Sequence, residues 1–315
     1  MMGRRLVLIL APLAGVALAV QAASAQRLPR APKCPILPHS NHFNKRVDKL
    51  PVASNSATMI ASIGREDSVH ADFGSGTYNG GPIGIPYTVV ERTQKKVPVS
   101  FDYADESDRG RYPIAPTAPI EGGPNADGDR HVLVVDRDRC RLYELYDAHP
   151  SGGGTSWRAG SGAVFNLRSN KLRPRGWTSA DAAGLPILPG LARYHEAKRG
   201  SINHALRFTA RRTRRAFVYP ARHFASSSDD PTLPPMGLRI RMKAATDLSG
   251  LGKQARIVAR ALKRYGALLA DNGSPWYFSR APDKRWNNDD LHTLDALKGS
   301  DFEVVDTSSL PRPGS

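Results

Sequence analysis

The stretch 127–146, DGDRHVLVVDRDRCRLYELY, has the pattern of two strands joined by a turn. Residues 131–135 and 140–146 are rich in β-branched, aromatic and leucine side chains, and the polar DRDR between them reads as the connection. Alternation in the second strand puts Glu144 on the same face as Cys140, Leu142 and Tyr146. A carboxylate in line with residues that favour burial is an accident of pattern, a structural anchor or part of a site.

The rest of the chain repeats the strand signal. Residues 85–90, 97–103, 204–209 and 238–243 alternate or run apolar over strand lengths. In GLRIRMKA, Leu238, Ile240 and Met242 are expected inward and Arg239, Arg241 and Lys243 outward. LLADNGSPWYFS reads as strand, turn at Asn272-Gly273, and strand, and DFEVVD as a closing strand. One long helix is predicted in GKQARIVARALKRYG, where Val258, Ala261, Leu262 and Tyr265 share a face and Gly266 stops it. Shorter helices are expected in NSATMIASIG, in NNDDLHTLDALKG, and after Ser179 in TSADAAG. Strands outnumber helices and do not alternate with them as βαβ units. This predicts a mainly β fold, an antiparallel β-sandwich or jelly roll with two peripheral α-helices.

The first 25 residues have the form of a secretory signal peptide: Arg4 and Arg5, an apolar run from Leu6 to Val20, and the small residues Ala23, Ser24 and Ala25. Cleavage after Ala25 would leave a proline-rich arm over 26–42, one β-rich globular domain over 43–307 and a tail over 308–315. No later stretch is long and apolar enough to span a bilayer. The expected location is extracellular or periplasmic. In an oxidising compartment Cys34 and Cys140, the chain's two cysteines, are expected to form a disulfide. The formal charge is +16, of which Arg4 and Arg5 supply two. That balance favours anionic surroundings or simply keeps the protein dispersed. Much of it sits in RFTARRTRRAF, a basic turn.

Several segments carry a resemblance: DRHVLVVDRDRC, GWTSADAAGLPILPGL, HALRFT, PPMGLRIRMKA and ADNGSPWY. With shorter runs such as HADFG, GIPYTVV and YPARH, they resemble a family of secreted proteins of soil bacteria that carries no settled activity. The likeness runs from about Val52 to Asp306. It implies one domain and lends no catalytic residues, so function is argued from chemistry.

Glycines in GSGTYNGGPIG lack the following lysine and helix of a phosphate loop, and no GxSxG elbow, calcium loop or dinucleotide fingerprint occurs. Glu144, if desolvated between Leu142 and Tyr146, would have a raised pKa and suit general acid work. Asp181, Asp271, Asp136 and Asp72 are candidate partners, since paired carboxylates cleave glycosidic bonds. His204 and His223 are candidates to orient the sugar or act as bases. Trp157, Trp177 and Trp276 lie beside glycine, proline or asparagine and could stack on sugar faces; Trp286 is similar, and Arg207 is grouped with them as a substrate contact. Each also has an ordinary structural role: an ion pair, a helix-dipole or turn residue, a satisfied core histidine, a buried ring. The expected function is a secreted carbohydrate-active enzyme that hydrolyses a polysaccharide by carboxylate acid/base chemistry, with no cofactor. The expected partner is a polysaccharide or cell-surface glycan, anionic ones included; nucleic acid is a poorer fit. The alternatives are a non-catalytic glycan-binding or cell-surface protein, and an enzyme holding a divalent metal ion on His131, His204 and His223, with His70 or Glu144 as a fourth ligand.

Overall fold

The computed structural model of the protein describes residues 26–314 other than Phe73 and Asn79; the expected signal peptide, residues 1–25, lies outside the described residues. Three sheets carry the architecture. The central one has four strands in the order Ser161–Asn166, Arg141–Tyr146, Val132–Asp136, Tyr87–Val90. Its middle is the hairpin read from the sequence, with Glu144 opposite Leu133 on one side and Ala163 on the other.

Because successive side chains point to opposite faces, this sheet serves two cores. Leu133, Val135, Leu142 and Phe165 join one apolar cluster, while Val132, Val134, Tyr143 and Leu145 join another. The second cluster is closed by a small sheet ordered His149–Ser151, Ser156–Ala159, Val97–Phe101, Arg111–Tyr112, which buries Trp157 and Tyr112. The first is shared with a six-stranded sheet ordered Phe302–Val304, Arg239–Met242, Ala267–Asn272, Leu206–Ala210, Tyr277–Ser279, His70–Asp72.

The protein is therefore mainly β and roughly sandwich-like, with short helices set around the sheets, as the sequence pattern predicts. The pairing is mixed: Tyr87–Val90 runs parallel to Val132–Asp136, and Leu206–Ala210 parallel to Ala267–Asn272. The segments around Asn272-Gly273 do not pair as a hairpin. Leu206–Ala210 lies between them, bonded to both. The long helix forms over Lys253–Arg264 and buries Ala255, Val258, Ala261 and Leu262. Gly266 follows it at φ +63, and a Cβ there would stand 1.9 Å from the Ile240 carbonyl oxygen. Only glycine lets the chain turn so tightly against the neighbouring strand.

Two local expectations change. No helix follows Ser179: residues 180–184 form bends and turns instead. Arg239 is buried rather than outward, because its guanidinium satisfies the Tyr265 carbonyl at the helix C-terminus (Nε to O, 2.9 Å) and the Lys45 carbonyl (3.1 Å). A cation at that end of a helix also meets the negative pole of its dipole. The proline-rich arm is packed onto the body and held by Cys34. Arg27–Leu28 pairs with Ala31–Pro35, and Leu28, Cys34 and Ile36 are buried. The expected disulfide joins Cys34 to Cys140, with Cα atoms 5.3 Å apart and a sequence separation of 106. It ties the arm to the turn of the central hairpin.

A crosslink closing so long a loop restricts the unfolded chain strongly. The Cys34→Ser/Cys140→Ser double variant is expected to lose about 2–5 kcal/mol, read as a lower urea midpoint against the oxidised wild type. An unchanged midpoint would contradict this role for the bond.

Candidate active site

A cavity of about 370 Å³ opens where five parts of the chain meet. The segment Tyr103–Asp129, much of it the long proline- and glycine-rich loop, brings Tyr103, Glu106 and Asp129. The central sheet brings Tyr146 and Ser161. The bend 178–182 brings Asp181, and Asp271 and Asn272 come from the end of the Ala267–Asn272 strand. His223 and Ala225 complete the wall. Loops lining a site on a rigid β scaffold is the usual arrangement.

The bend that carries Asp181 is held from every side. Ser179 Oγ accepts from the Asp181 N–H at 2.9 Å and donates to the Leu185 carbonyl at 2.6 Å. Ser161 Oγ donates to the Ser179 carbonyl at 2.6 Å, and the Ala183 N–H donates to the Ala270 carbonyl at 2.9 Å. His131 Nε2 reaches the Ala180 carbonyl at 2.8 Å and His223 Nδ1 the Ala182 carbonyl at 2.9 Å. On the other wall Arg173 donates to the carbonyls of Thr178 (2.6 Å) and Glu106 (2.7 Å) and pairs with Asp108 at 2.5 Å. One buried arginine thus fixes the long loop against the bend.

At the floor, Arg207 meets Asp181 in a two-point contact: Nη2 to Oδ1 at 3.0 Å and Nε to Oδ2 at 3.3 Å. Its remaining nitrogen donates to Ser279 Oγ at 2.5 Å. Both side chains are buried, so the ion pair is shielded from water. Asp271 stands beside it, with Oδ2 4.0 Å from Arg207 Nη2, the same nitrogen that donates to Asp181 Oδ1 at 3.0 Å. Unlike Asp181, Asp271 is still about a quarter open to the cavity. Two carboxyls set beside one buried guanidinium cannot both be ionised cheaply. Burial, then the negative charge of Asp181, pushes Asp271 up to about 7, although Arg207 opposes the shift. Burial also raises Asp181, and the Arg207 charge offsets this in part. The arginine therefore assigns the roles: Asp181 is the anion it clamps, and Asp271 carries the shared proton.

Behind the pair lies a second charge couple. Burial works against a charge on His131, but Glu121 at 2.5 Å outweighs it and raises the imidazole to about 9. Burial likewise works against the Glu121 anion, and the His131 charge holds its pKa below the ordinary value. As an imidazolium, His131 donates from both nitrogens, one to Glu121 and one to the Ala180 carbonyl.

The cavity wall does not include every residue singled out from the sequence. Glu144 faces inward, as alternation requires, but into a sealed core: it is 0 % exposed and absent from the cavity lining. Its carboxylate accepts the Ile187 N–H (2.9 Å) and the Leu188 N–H (2.9 Å) where a short 3-10 turn begins. Of the three roles open to it, the geometry is that of the anchor. Burial raises it to about 7, and the Asp181 charge adds to the rise. Asp136 is also buried and bonds to Arg139 at 2.8 Å in the hairpin turn, while the Asp72 side chain lies outside the described residues.

His204 belongs to a separate buried cluster, with Nε2 3.0 Å from Arg193 Nη2 and 3.3 Å from Glu196 Oε2. His70 stacks on Tyr277. His131, His204 and His223 do not meet. Among the described residues no three His, Cys, Asp or Glu side chains are grouped to hold a metal ion. Trp157 and Trp276 are interior residues; Trp276 lies between Phe208 and Phe302 and donates to the Gly64 carbonyl at 2.7 Å. Trp286 is buried too. Trp177 is half-buried under the Arg173 guanidinium, 5.5 Å from the ring centre. None of these indoles lines the cavity; the aromatic side chains that do are Tyr103 and Tyr146. Arg207 acts through Asp181 rather than facing the cavity.

Sequence reasoning did not single out Tyr103, Glu106, Asp129 or the Glu121–His131 couple. The sequence does mark the long proline- and glycine-rich loop that carries most of them, since loops this long in compact domains are uncommon and often line a site. Among the described residues no helix is long and apolar enough to cross a membrane. No family model, curated protein or solved structure matches the chain.

A carboxyl whose pKa in the fold exceeds its unfolded value binds its proton more tightly when folded. Its contribution to stability is complete below the ordinary carboxyl pKa and lost as pH rises through the folded value, near 7 for both Glu144 and Asp271. Unfolding free energy is therefore expected to fall across pH 5–8. Glu144→Gln should flatten that slope by about 1.4 kcal/mol per pH unit within the window. Denaturant titrations at several pH values read it directly, and an identical slope in the variant would refute the assignment.

Proposed function

We propose that the cavity is the active site of a secreted hydrolase acting on polysaccharide, with Asp271 as its general acid. The observation that carries the reading is Asp271 itself: a carboxyl raised to about 7 by burial and by Asp181, yet open to a cavity. An acid that keeps its proton near neutrality and reaches a substrate can protonate a leaving glycosidic oxygen. Asp181 is a positioning residue. Its carboxylate is buried and already taken up by Arg207, so it is not free to act as the second carboxylate of a glycosidase pair. That role falls to Asp129, exposed on the wall and supplied by a different segment. As a base it would take a proton from the attacking water while Asp271 releases its own to the departing alcohol. The glycosidic C–O bond breaks as the new C–O bond to water forms, and one proton is gained and one lost by the protein. Tyr103, 56 % exposed, and Tyr146 offer ring faces to sugar, a task the buried tryptophans do not perform.

The disulfide fits export into an oxidising compartment, and the export reading itself comes from the leader. A binding protein without catalysis would be expected to use exposed indoles, and Trp157, Trp276 and Trp286 are buried.

A panel of polysaccharides incubated with wild type, Asp271→Asn and Asp129→Asn, with reducing ends as the readout, tests the proposal. At least one substrate should be cut, and each variant should lower kcat by about 10²–10⁴-fold. Wild-type kcat should fall as pH rises through about 7, because Asp271 must hold its proton. Full activity in Asp271→Asn would overturn the proposal, as would failure to cut any glycan.

A further inference from the structure

Beside the cavity the surface changes character. From its rim a row of rings leads outward. His223 lies 5.6 Å from Phe224, with the planes 2° apart, and Phe224 lies 6.4 Å from Phe217. The Arg175 guanidinium covers Phe217 at 4.6 Å. Phe217 and Phe224 are only half-buried. On the same rim stands Asn272, whose Oδ1 accepts from Thr213 Oγ1 at 2.7 Å. Thr213 sits inside the basic turn, between the exposed Arg211 and Arg212 and the pair Arg214 and Arg215. The turn is thus bonded directly to a residue of the cavity wall. Nearby acids cancel only part of its charge: Arg215 pairs with Asp229 at 2.7 Å, and Asp230 is close enough to feel Arg212 and Arg214.

From this geometry we infer that the polymer taken by the cavity is an acidic polysaccharide, whose carboxylates engage Arg211 and Arg212 while neighbouring sugars lie along His223, Phe224 and Phe217. The inference rests on reading the cavity as a glycan site and adds the class of substrate. Aromatic rings interleaved with arginines would also suit a single-stranded nucleic acid. The cavity opposes that occupant. A phosphodiester chain carries a charge at every residue and would press one against Glu106, Asp129 and the Asp181–Asp271 pair. A glycan with acidic sugars at intervals can present a neutral sugar there and its carboxylates to the turn.

The test measures retention by affinity electrophoresis on three polymers: gellan, which carries glucuronate; the same polymer after reduction of its carboxyls; and oligo(dT). Wild type should hold gellan about tenfold more tightly than the reduced polymer, with the difference shrinking as salt rises. Arg211→Ser/Arg212→Ser should remove most of that difference and leave affinity for the reduced polymer within twofold. Both side chains are exposed, so folding is undisturbed, and the salt titration of wild type gives an independent reading. Equal retention of the two gellans, an unaltered double variant, or tighter retention of oligo(dT) would each overturn the inference. Binding is read apart from cleavage, so the two proposals fail separately. Gellan held but not cut supports the acidic partner and defeats hydrolysis of that polymer, whereas cleavage of neutral glycans with no preference for gellan defeats the acidic partner alone.

Discussion

A guanidinium shut away from water must be given acceptors for its N–H groups, and Arg207 finds them in the Asp181 carboxylate and Ser279 Oγ. Leaving one partner of such a pair alone in the interior costs about 3–5 kcal/mol. That requirement ties the Leu206–Ala210 strand at the heart of the six-stranded sheet to a bend with no regular structure of its own. Once Asp181 is fixed, Asp271 on the adjoining strand has no choice of partner. It lies against an anion, in a place where a second negative charge is poorly tolerated, and so keeps its proton. Scaffold and chemistry are coupled through one ion pair: the arginine keeps one aspartate charged, and that aspartate keeps the other neutral.

The surroundings reinforce the arrangement. His131 and Glu121 neutralise one another behind the site, and the imidazolium spends its second proton on the Ala180 carbonyl, one residue before Asp181. Ser161 and Ser179 bond the same bend to the central sheet. Arg173 holds the loop bearing Glu106. Glu144 works from the far side of the layer, holding the N–H groups at 187 and 188. These loop-borne contacts add to the apolar cluster that the two sheets share, and the cavity lies where the loops meet.

The parts of this structure governed by local alternation were legible in the sequence. The central hairpin, the Lys253–Arg264 helix with its glycine stop, and the inward face of Glu144 all follow from side-chain period and capping chemistry. The disulfide followed from compartment and number. What stayed hidden was non-local. Alternation shows that Glu144 points inward, but whether a cleft or a sealed core receives it depends on the Ile187–Leu188 turn, more than 40 residues away. Ser179 and Asp181 looked like the start of a helix because serine caps and a following acid are a common helix signal; here the same side chains bond a bend and a strand arginine instead. Arg239 alternates with Ile240 as an outward residue would, yet a helix terminus lies in wait for its charge. Asp271 read as a turn residue, and its raised pKa comes from burial and from the neighbouring Asp181, both of them products of the fold.

The account stands on the protonation of that one carboxyl. Carbon-13 NMR of aspartate side-chain carboxyls, with the Asp271 signal assigned by Asp271→Asn, measures it without any substrate. The titration midpoint should lie near 7 in wild type and fall well below that in Asp181→Asn, where the neighbouring negative charge is gone and Arg207 remains. A midpoint in the ordinary aspartate range in the wild-type protein, near 4, would contradict the account at its root.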